Sequence, residues 1–139
     1  MLLEIVDLHQ YRGQRHVLKG IDLTIDRGEI IGLIGQNGSG KSTLINAITG
    51  AVRPRSGMMT LDGEPYRPAS VDEARAAGVS VIEQDFRAPE DLTVLRNMFR
   101  NTFMADMDEQ VVLERAQEIL ARTQFTLDLY LTIGGLDPA

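Results

Sequence analysis

Glu29-Ile-Ile-Gly-Leu-Ile-Gly35-Gln-Asn-Gly38-Ser-Gly40-Lys41-Ser42-Thr43-Leu44-Ile45-Asn-Ala-Ile48-Thr-Gly50 joins two unlike patterns through a glycine-rich turn. Its first seven residues form an apolar run rich in isoleucine, the composition of a strand buried on both faces. Its last ten place Leu44, Ile45 and Ile48 at helical spacing, and Gly50 stands where a helix C-cap glycine belongs. Between them Gly35 to Ser42 satisfies G-x-x-x-x-G-K-[ST]. The spacing has a physical reason. Successive backbone N–H groups must curl around a polyphosphate, and glycines at 35, 38 and 40 permit both the curl and the close approach. The helix starting near Lys41 points its partial positive end at the same anion. Lys41 adds a mobile cation for the outer phosphates, and the Ser42 hydroxyl can ligate a Mg²⁺ ion that bridges phosphate oxygens. A glycine-rich turn that binds nothing is the plain alternative. It leaves the agreement of every pattern position with both flanking elements unexplained.

Outward from this stretch the pattern alternates. Leu2 to Leu8 alternates in part, with Leu3, Ile5 and Leu8 against Glu4 and Asp7. Ile21-Asp-Leu-Thr-Ile25 alternates cleanly and predicts a half-buried strand, followed by a turn at Arg27-Gly28. Pro54 to Gly57 reads as a loop, Met58 to Leu61 as a strand and Asp62-Gly63 as a turn. Ser70 with Glu73 forms a capping box for a helix ending at Gly78. Val79 to Ile82 reads as another short buried strand and Asp85 to Asp91 as irregular. Leu92 to Phe103 reads as a helix. Asp106 to Thr123 reads as a longer one, with a second capping box at Asp106 and Glu109 and an apolar face of Val112, Leu113, Ala116, Ile119 and Leu120. The class is α/β or α+β around a central sheet.

The 139 residues suit one compact domain. The absence of cysteine excludes a disulfide scaffold, a thiolate metal site and a cysteine nucleophile. A net charge of −6 speaks against a general nucleic-acid surface, yet a local anion site needs only backbone amides. Glu4 and Asp7 arrive too early for a secretory leader, and no run approaches the ~20 apolar residues of a bilayer span, so no direct membrane insertion is expected. His9 and His16 read as solvated or capping residues. Met98, Met104 and Met107 suit either core packing or an adaptable docking surface, and Arg53 and Arg55 suit solvent.

Gly35-Gln36-Asn37-Gly38-Ser39-Gly40-Lys41-Ser42-Thr43-Leu44 resembles the Walker A motif of ABC-type ATPases, the nucleotide-binding subunits of ATP-driven transporters. Further likenesses follow in that family's order. Leu18 to Glu29 is similar to the run into the Walker strand, Pro54 to Gly63 to the hairpin after it, Val81-Ile-Glu-Gln84 to the Q-loop, and Leu92 to Phe99 to the helix beyond. The likeness runs from Leu3 to Leu136 and is greatest, over 78 to 99, to the ATPases of monosaccharide importers; Arg96 departs from that branch, which usually carries an acidic residue there. It implies an α/β fold: a P-loop NTPase core of ABC type with an N-terminal antiparallel β portion and the start of a helical subdomain. Residues 1–84 would be core, and 85–139 the Q-loop and helical start. It implies ATP with Mg²⁺, catalytic roles for Lys41 and Gln84, metal contacts from Ser42 and Gln84, and phosphate contacts along Gly35 to Thr43. Tyr11 stands where the family places an aromatic that stacks on adenine; an ordinary strand-end tyrosine is the alternative. Gln84 would sense the γ-phosphate through an amide that both donates and accepts; a polar strand end is the alternative there.

The resemblance also implies partners: transmembrane permease subunits, with Asp85 to Phe103 as the docking face, and a second ATPase domain in a dimer. No nucleic acid is expected, and the location would be cytoplasmic, on the inner face of the membrane through the permease. Ile133 to Ala139 resembles the approach to the family's signature motif, with Asp137 where that motif has serine. The signature, Walker B strand and switch histidine do not occur, so the expectation is an N-terminal part of the domain, truncated before those elements. Two other functions stay open: a nucleotide-binding regulatory module without turnover, and a soluble ABC-type ATPase outside transport.

Overall fold

The computed structural model describes residues 1–82, 88–123 and 125–136. It comprises two compact units, Met1–Ile82 and Glu83–Ala139.

The first unit is built on a four-stranded antiparallel sheet of order β2-β1-β3-β4. Strands β1 (Leu3–Arg12) and β2 (Arg15–Ile25) form a long hairpin; β3 (Ser56–Leu61) pairs with the far side of β1, and β4 (Glu64–Pro65) closes the edge. The partial alternation in β1 has a local cause. Leu3 and Ile5 point into the core, the register slips between Ile5 and Leu8, and Asp7 takes φ +50°. Such a bulge reverses the facing of later residues, so Leu8 also turns inward. Asp62-Gly63 joins β3 to β4 with φ +53° and +83°, the conformation that tight hairpin turns require. Strand β2 is longer than its clean alternation suggested, because Arg15 to Gly20 pairs with β1 across irregularities that the residue pattern does not mark.

Helix α1 (Lys41–Ile48) contributes Leu44 and Ala47 to the core made by Ile5, Leu8, Leu18 and Met59. Gly50 follows it at φ +75° and donates its N–H to Ala47 O at 3.4 Å, a left-handed helix end. Helix α2 (Val71–Ala76) is capped by Ser70, whose hydroxyl accepts from Glu73 N at 3.2 Å. The Glu73 carboxylate reaches back to Ala69 N at 2.7 Å, one residue earlier than in the usual box.

Two expected strands are corrected. Glu29 to Gly35 and Val79 to Ile82 carry no sheet pairing among the described residues. Ile30, Ile34 and Ile82 are 97%, 96% and 95% exposed. An apolar run becomes a strand only where neighbouring strands accept its backbone bonds, and the described residues supply none beside these segments.

The second unit packs α3 (Val94–Phe99) and α4 (Glu109–Thr123) around Leu95, Phe99, Val112, Ala116 and Leu129. Leu129 and Leu131 carbonyls accept from Leu95 and Val94 N at 2.9 Å each, and a 3₁₀ turn at Ile133–Gly135 ends the described chain. The expected Leu92–Phe103 helix is shorter at both ends. Thr93 caps its start by accepting from Arg96 N, and after Phe99 the chain enters turns in which Thr102 donates to Phe99 O. The expected box at Asp106 does not form either. Asp108 accepts from Gln110 N at 2.9 Å at the start of α4, and Glu109 pairs with Arg96 at 3.4 Å. The apolar face of α4 does turn inward, with Leu113, Ile119 and Leu120 against the buried cluster; Met98 and Met104 pack there too. Among the described residues no helix is long and apolar enough to cross a membrane.

Buried Tyr66 ties the β3–β4 hairpin to α1 by donating its hydroxyl to Ile48 O at 2.7 Å. Burial raises its phenol above the ordinary value of 10.0. The fold holds the neutral phenol, so this stabilisation is complete below about pH 10 and fades as pH rises through the raised value. Tyr66→Phe should cost about 1 kcal/mol in urea unfolding at neutral pH, the net worth of one hydrogen bond. It should also remove that part of the alkaline loss of stability. Equal midpoints for the two proteins would show that the bond contributes nothing.

Candidate nucleotide site

Residues 35 to 40 form an exposed loop that leads straight into α1. Gly38 and Gly40 take φ +80° and +105°, where a side chain would be strained. Gly40 is the N-cap of α1; no side chain caps the helix and no acidic residue lies in its first turn. The leading amides of α1 therefore face the loop without a protein anion competing for them. Lys41 folds back over this space. Its ammonium donates to Gly35 O at 2.6 Å and Gln36 O at 2.9 Å, and Ser39 N donates to Gln36 O at 3.2 Å. The result is a ring of backbone with a cation inside it and a helix N-terminus at its base, the donor set that suits a polyphosphate.

Ser42 is exposed in the first turn of α1, and its hydroxyl makes no hydrogen bond among the described residues. The described residues hold no cluster of three His, Asp or Glu side chains that could hold a metal alone. A Mg²⁺ ion here would thus rest on Ser42 and on oxygens of the bound anion, which fits a metal–nucleotide complex. Gln84 lies outside the described residues.

The hairpin β1–β2 brings a second set of side chains alongside. Tyr11 pairs with His16 across the strands, their rings 4.2 Å apart and within 3° of parallel. Nδ1 of His9 and Nε2 of His16 are 3.0 Å apart, and Nε2 of His9 lies 2.9 Å from Asp7 Oδ1. The two histidines are therefore an ordered cluster, not solvated or capping residues as the sequence suggested. Only the hairpin register unites them, and no spacing rule would have found it. An open groove of about 560 Å³ separates this hairpin from the glycine loop, with Arg15, His16 and Val17 on one wall and Gly38 and Ser39 on the other. Arg15 spans it, donating to Gly38 O at 3.4 Å. Tyr11 borders a different opening, with His9, Asp7 and Arg55.

The pattern that defines the ABC transporter family matches residues 18–133. The chain belongs to that family. It is 34% identical over 131 residues to the ribose import ATP-binding protein RbsA of Oceanobacillus iheyensis, covering 91% of this chain and 26% of that protein. With the protein of the same name from Chelativorans sp. it shares 35% over 134 residues, 96% of this chain and again 26% of the relative. It thus spans about a quarter of the length of these relatives. Among solved structures, an ATP-binding subunit of an ABC transporter superposes with a TM-score of 0.73 at 28% identity, over 99% of this chain and 56% of that one. An ATP-binding cassette of an ABC transporter in its ADP conformation gives a TM-score of 0.78 at 25% identity, over 98% and 59%. The fold is accordingly the first part of an ABC-type P-loop ATPase domain, antiparallel portion included.

Lys41→Ala removes the cation from the loop. Binding of inorganic triphosphate, followed by calorimetry, should weaken by about 1.5–3 kcal/mol, the worth of a charge-assisted contact. Unchanged affinity would place the anion elsewhere.

Proposed function

We propose that this chain binds ATP with Mg²⁺ in the loop Gly35 to Thr43, as part of the ATP-hydrolysing component of an importer. The observation that carries this reading is the Lys41 ammonium held inside an amide-lined loop at the uncapped end of α1. The backbone from Gly35 to Thr43 cradles the phosphates, Lys41 neutralises the outer ones, and Ser42 ligates the metal. When bound, Mg²⁺ supplies charge neutralisation across the phosphate oxygens. Tyr11 contributes to an aromatic wall for adenine. Gln84 orients the attacking water and contacts the metal. The names of the relatives support a sugar as the solute, and family membership supports permease subunits and a second ATPase domain as partners, at the inner face of the membrane.

Binding and turnover make different demands on these 139 residues. The anion seat is local to one loop and one helix end. Hydrolysis also needs a base beside the water, and Gln84 carries an amide, which takes no proton at neutral pH. A positioned base contributes typically about 10²–10⁴-fold. Residues 1–139 are therefore expected to bind ATP in a Lys41-dependent way and to release phosphate no faster than the Lys41→Ala protein. Lys41-dependent turnover at about 1 s⁻¹ or above, the low end of ordinary enzyme rates, would overturn this assignment of roles.

For the aromatic wall, Tyr11→Phe should bind ATP as the parent does, because stacking needs only a π-face, whereas Tyr11→Ala should bind it less tightly. Equal affinities for all three proteins would remove Tyr11 from the site.

A further inference from the structure

The end of the β1–β2 hairpin breaks a rule of strand pairing. Gly13 and Gln14 make its turn, with Gly13 at φ +61°, and the residues opposite each other beside that turn are Arg12 and Arg15, both exposed. Like charges directly opposite destabilise an antiparallel pair. A local rule broken in this way points to a demand from elsewhere in the molecule. Arg15 shows where that demand lies. Its guanidinium reaches away from the hairpin and donates from Nη2 to Gly38 O of the glycine loop at 3.4 Å. A Cβ placed on Gly38 would stand 3.9 Å from the same nitrogen, so the cation overlies the loop.

That contact leaves the guanidinium largely unused. Arg27, Arg75, Arg96 and Arg115 each meet a carboxylate, whereas Arg15 meets none among the described residues. Its hydrogen bond goes to a neutral carbonyl, at a distance beyond the usual range for such bonds. A guanidinium carries several N–H donors in a planar fork that matches two oxygens of a phosphate at once. Arg15 lines the groove of about 560 Å³ between hairpin and loop, so its open donors border the space beside the glycine loop. The groove has the matching sign. Among the described residues Arg15 and Lys19 line it and no carboxylate does, in a chain with 20 acidic and 14 basic residues.

We propose that Arg15 is a second phosphate-binding cation, reaching the nucleotide from outside the loop: with nucleotide bound, its guanidinium turns from Gly38 O to oxygens of the phosphate chain. This rests on the nucleotide-binding reading of the glycine loop and deepens it, because the β1–β2 hairpin then grips the same anion that Lys41 meets from within. The exchange costs little, since one long bond to a neutral carbonyl gives way to a charge-assisted contact. It also accounts for the opposed arginines. A polyanion beside the hairpin end offsets the repulsion that Arg12 and Arg15 otherwise exert on each other.

The test measures the affinity of the 139-residue chain for inorganic triphosphate and for ATP by calorimetry, with thermal melts as a check of folding. Arg15→Gln keeps a hydrogen-bond donor and removes the charge. At low salt it should weaken both ligands alike by about fivefold, the upper end for an exposed ion pair. Raising the salt to about 1 M, where the screening length falls to about 3 Å, should shrink that loss, which a distorted loop would not do. Arg15→Lys keeps the charge and should bind both ligands more tightly than Arg15→Gln does. A loss under about twofold at low salt, a loss confined to ATP, a loss undiminished by salt, or equal losses for the lysine and glutamine proteins overturns the assignment. Lys41→Ala separates this from the reading it rests on. If it weakens both ligands while Arg15→Gln changes neither, the phosphate site stands and the Arg15 proposal falls; if it weakens neither, the nucleotide reading falls and the proposal with it.

Discussion

Gly40 has no side chain, and the arrangement of the site depends on that. A Cβ at this position would stand 3.1 Å from Leu18 Cδ2 and 3.3 Å from Val17 O, with the backbone at φ +105°. Only glycine lets the start of α1 lie this close to β2 in this conformation. Two consequences follow from the one contact. Leu44 and Ala47, one and two turns further on, reach the core between helix and sheet. The amides that open α1 are meanwhile set directly across a groove from the β1–β2 hairpin. The proposed seat for an anion and the aromatic stack are thus parts of one packing decision, made where helix meets strand.

Much of this was legible in the residues. The spacing Gly35, Gly40, Lys41, Ser42 states a chemical requirement that involves only neighbouring backbone, so the loop and the helix after it could be read with no knowledge of the rest. Ser70 with Glu73 and the inward face of α4 were legible for the same reason, since each is a local pattern with a local partner. Strand structure is not local. Ile30, Ile34 and Ile82 carry the composition of covered strands, yet stand almost fully exposed. Leaving such a side chain in water forgoes about 1.5–3 kcal/mol each. Composition therefore reported what these segments would gain from cover, whereas pairing depends on which neighbours are there.

The histidine cluster was illegible for a different reason. Seven positions separate His9 from His16, a spacing that would put them on one face of a helix but that pairs nothing on a regular hairpin. Two of the three register shifts along the hairpin give it meaning. The slip between Ile5 and Leu8 turns Asp7 toward His9, and the slip at Val17 turns His16 onto Tyr11. Each insertion of one residue reverses which side of the sheet the following residues face, so an even number of such slips can look like ordinary alternation when read from either end. The feature that fixes the cluster is a departure from periodicity, and a method that counts periodic matches passes over it.

The same division between local and distant partners bears on how such a domain can divide its work. The proposed anion seat, made of consecutive amides, draws only on its own loop and helix, because its donors are set by φ angles and by one lysine on the same turn. Positioning water for attack is a requirement of another kind. It needs a group held to within a few tenths of an ångström of an oxygen that belongs to no part of the loop, and so depends on elements brought in from elsewhere in the fold. Recognition written into contiguous residues and catalysis written across the fold make separable physical demands: the first requires only that helix α1 stay packed on β2, while the second depends on every element that surrounds the water.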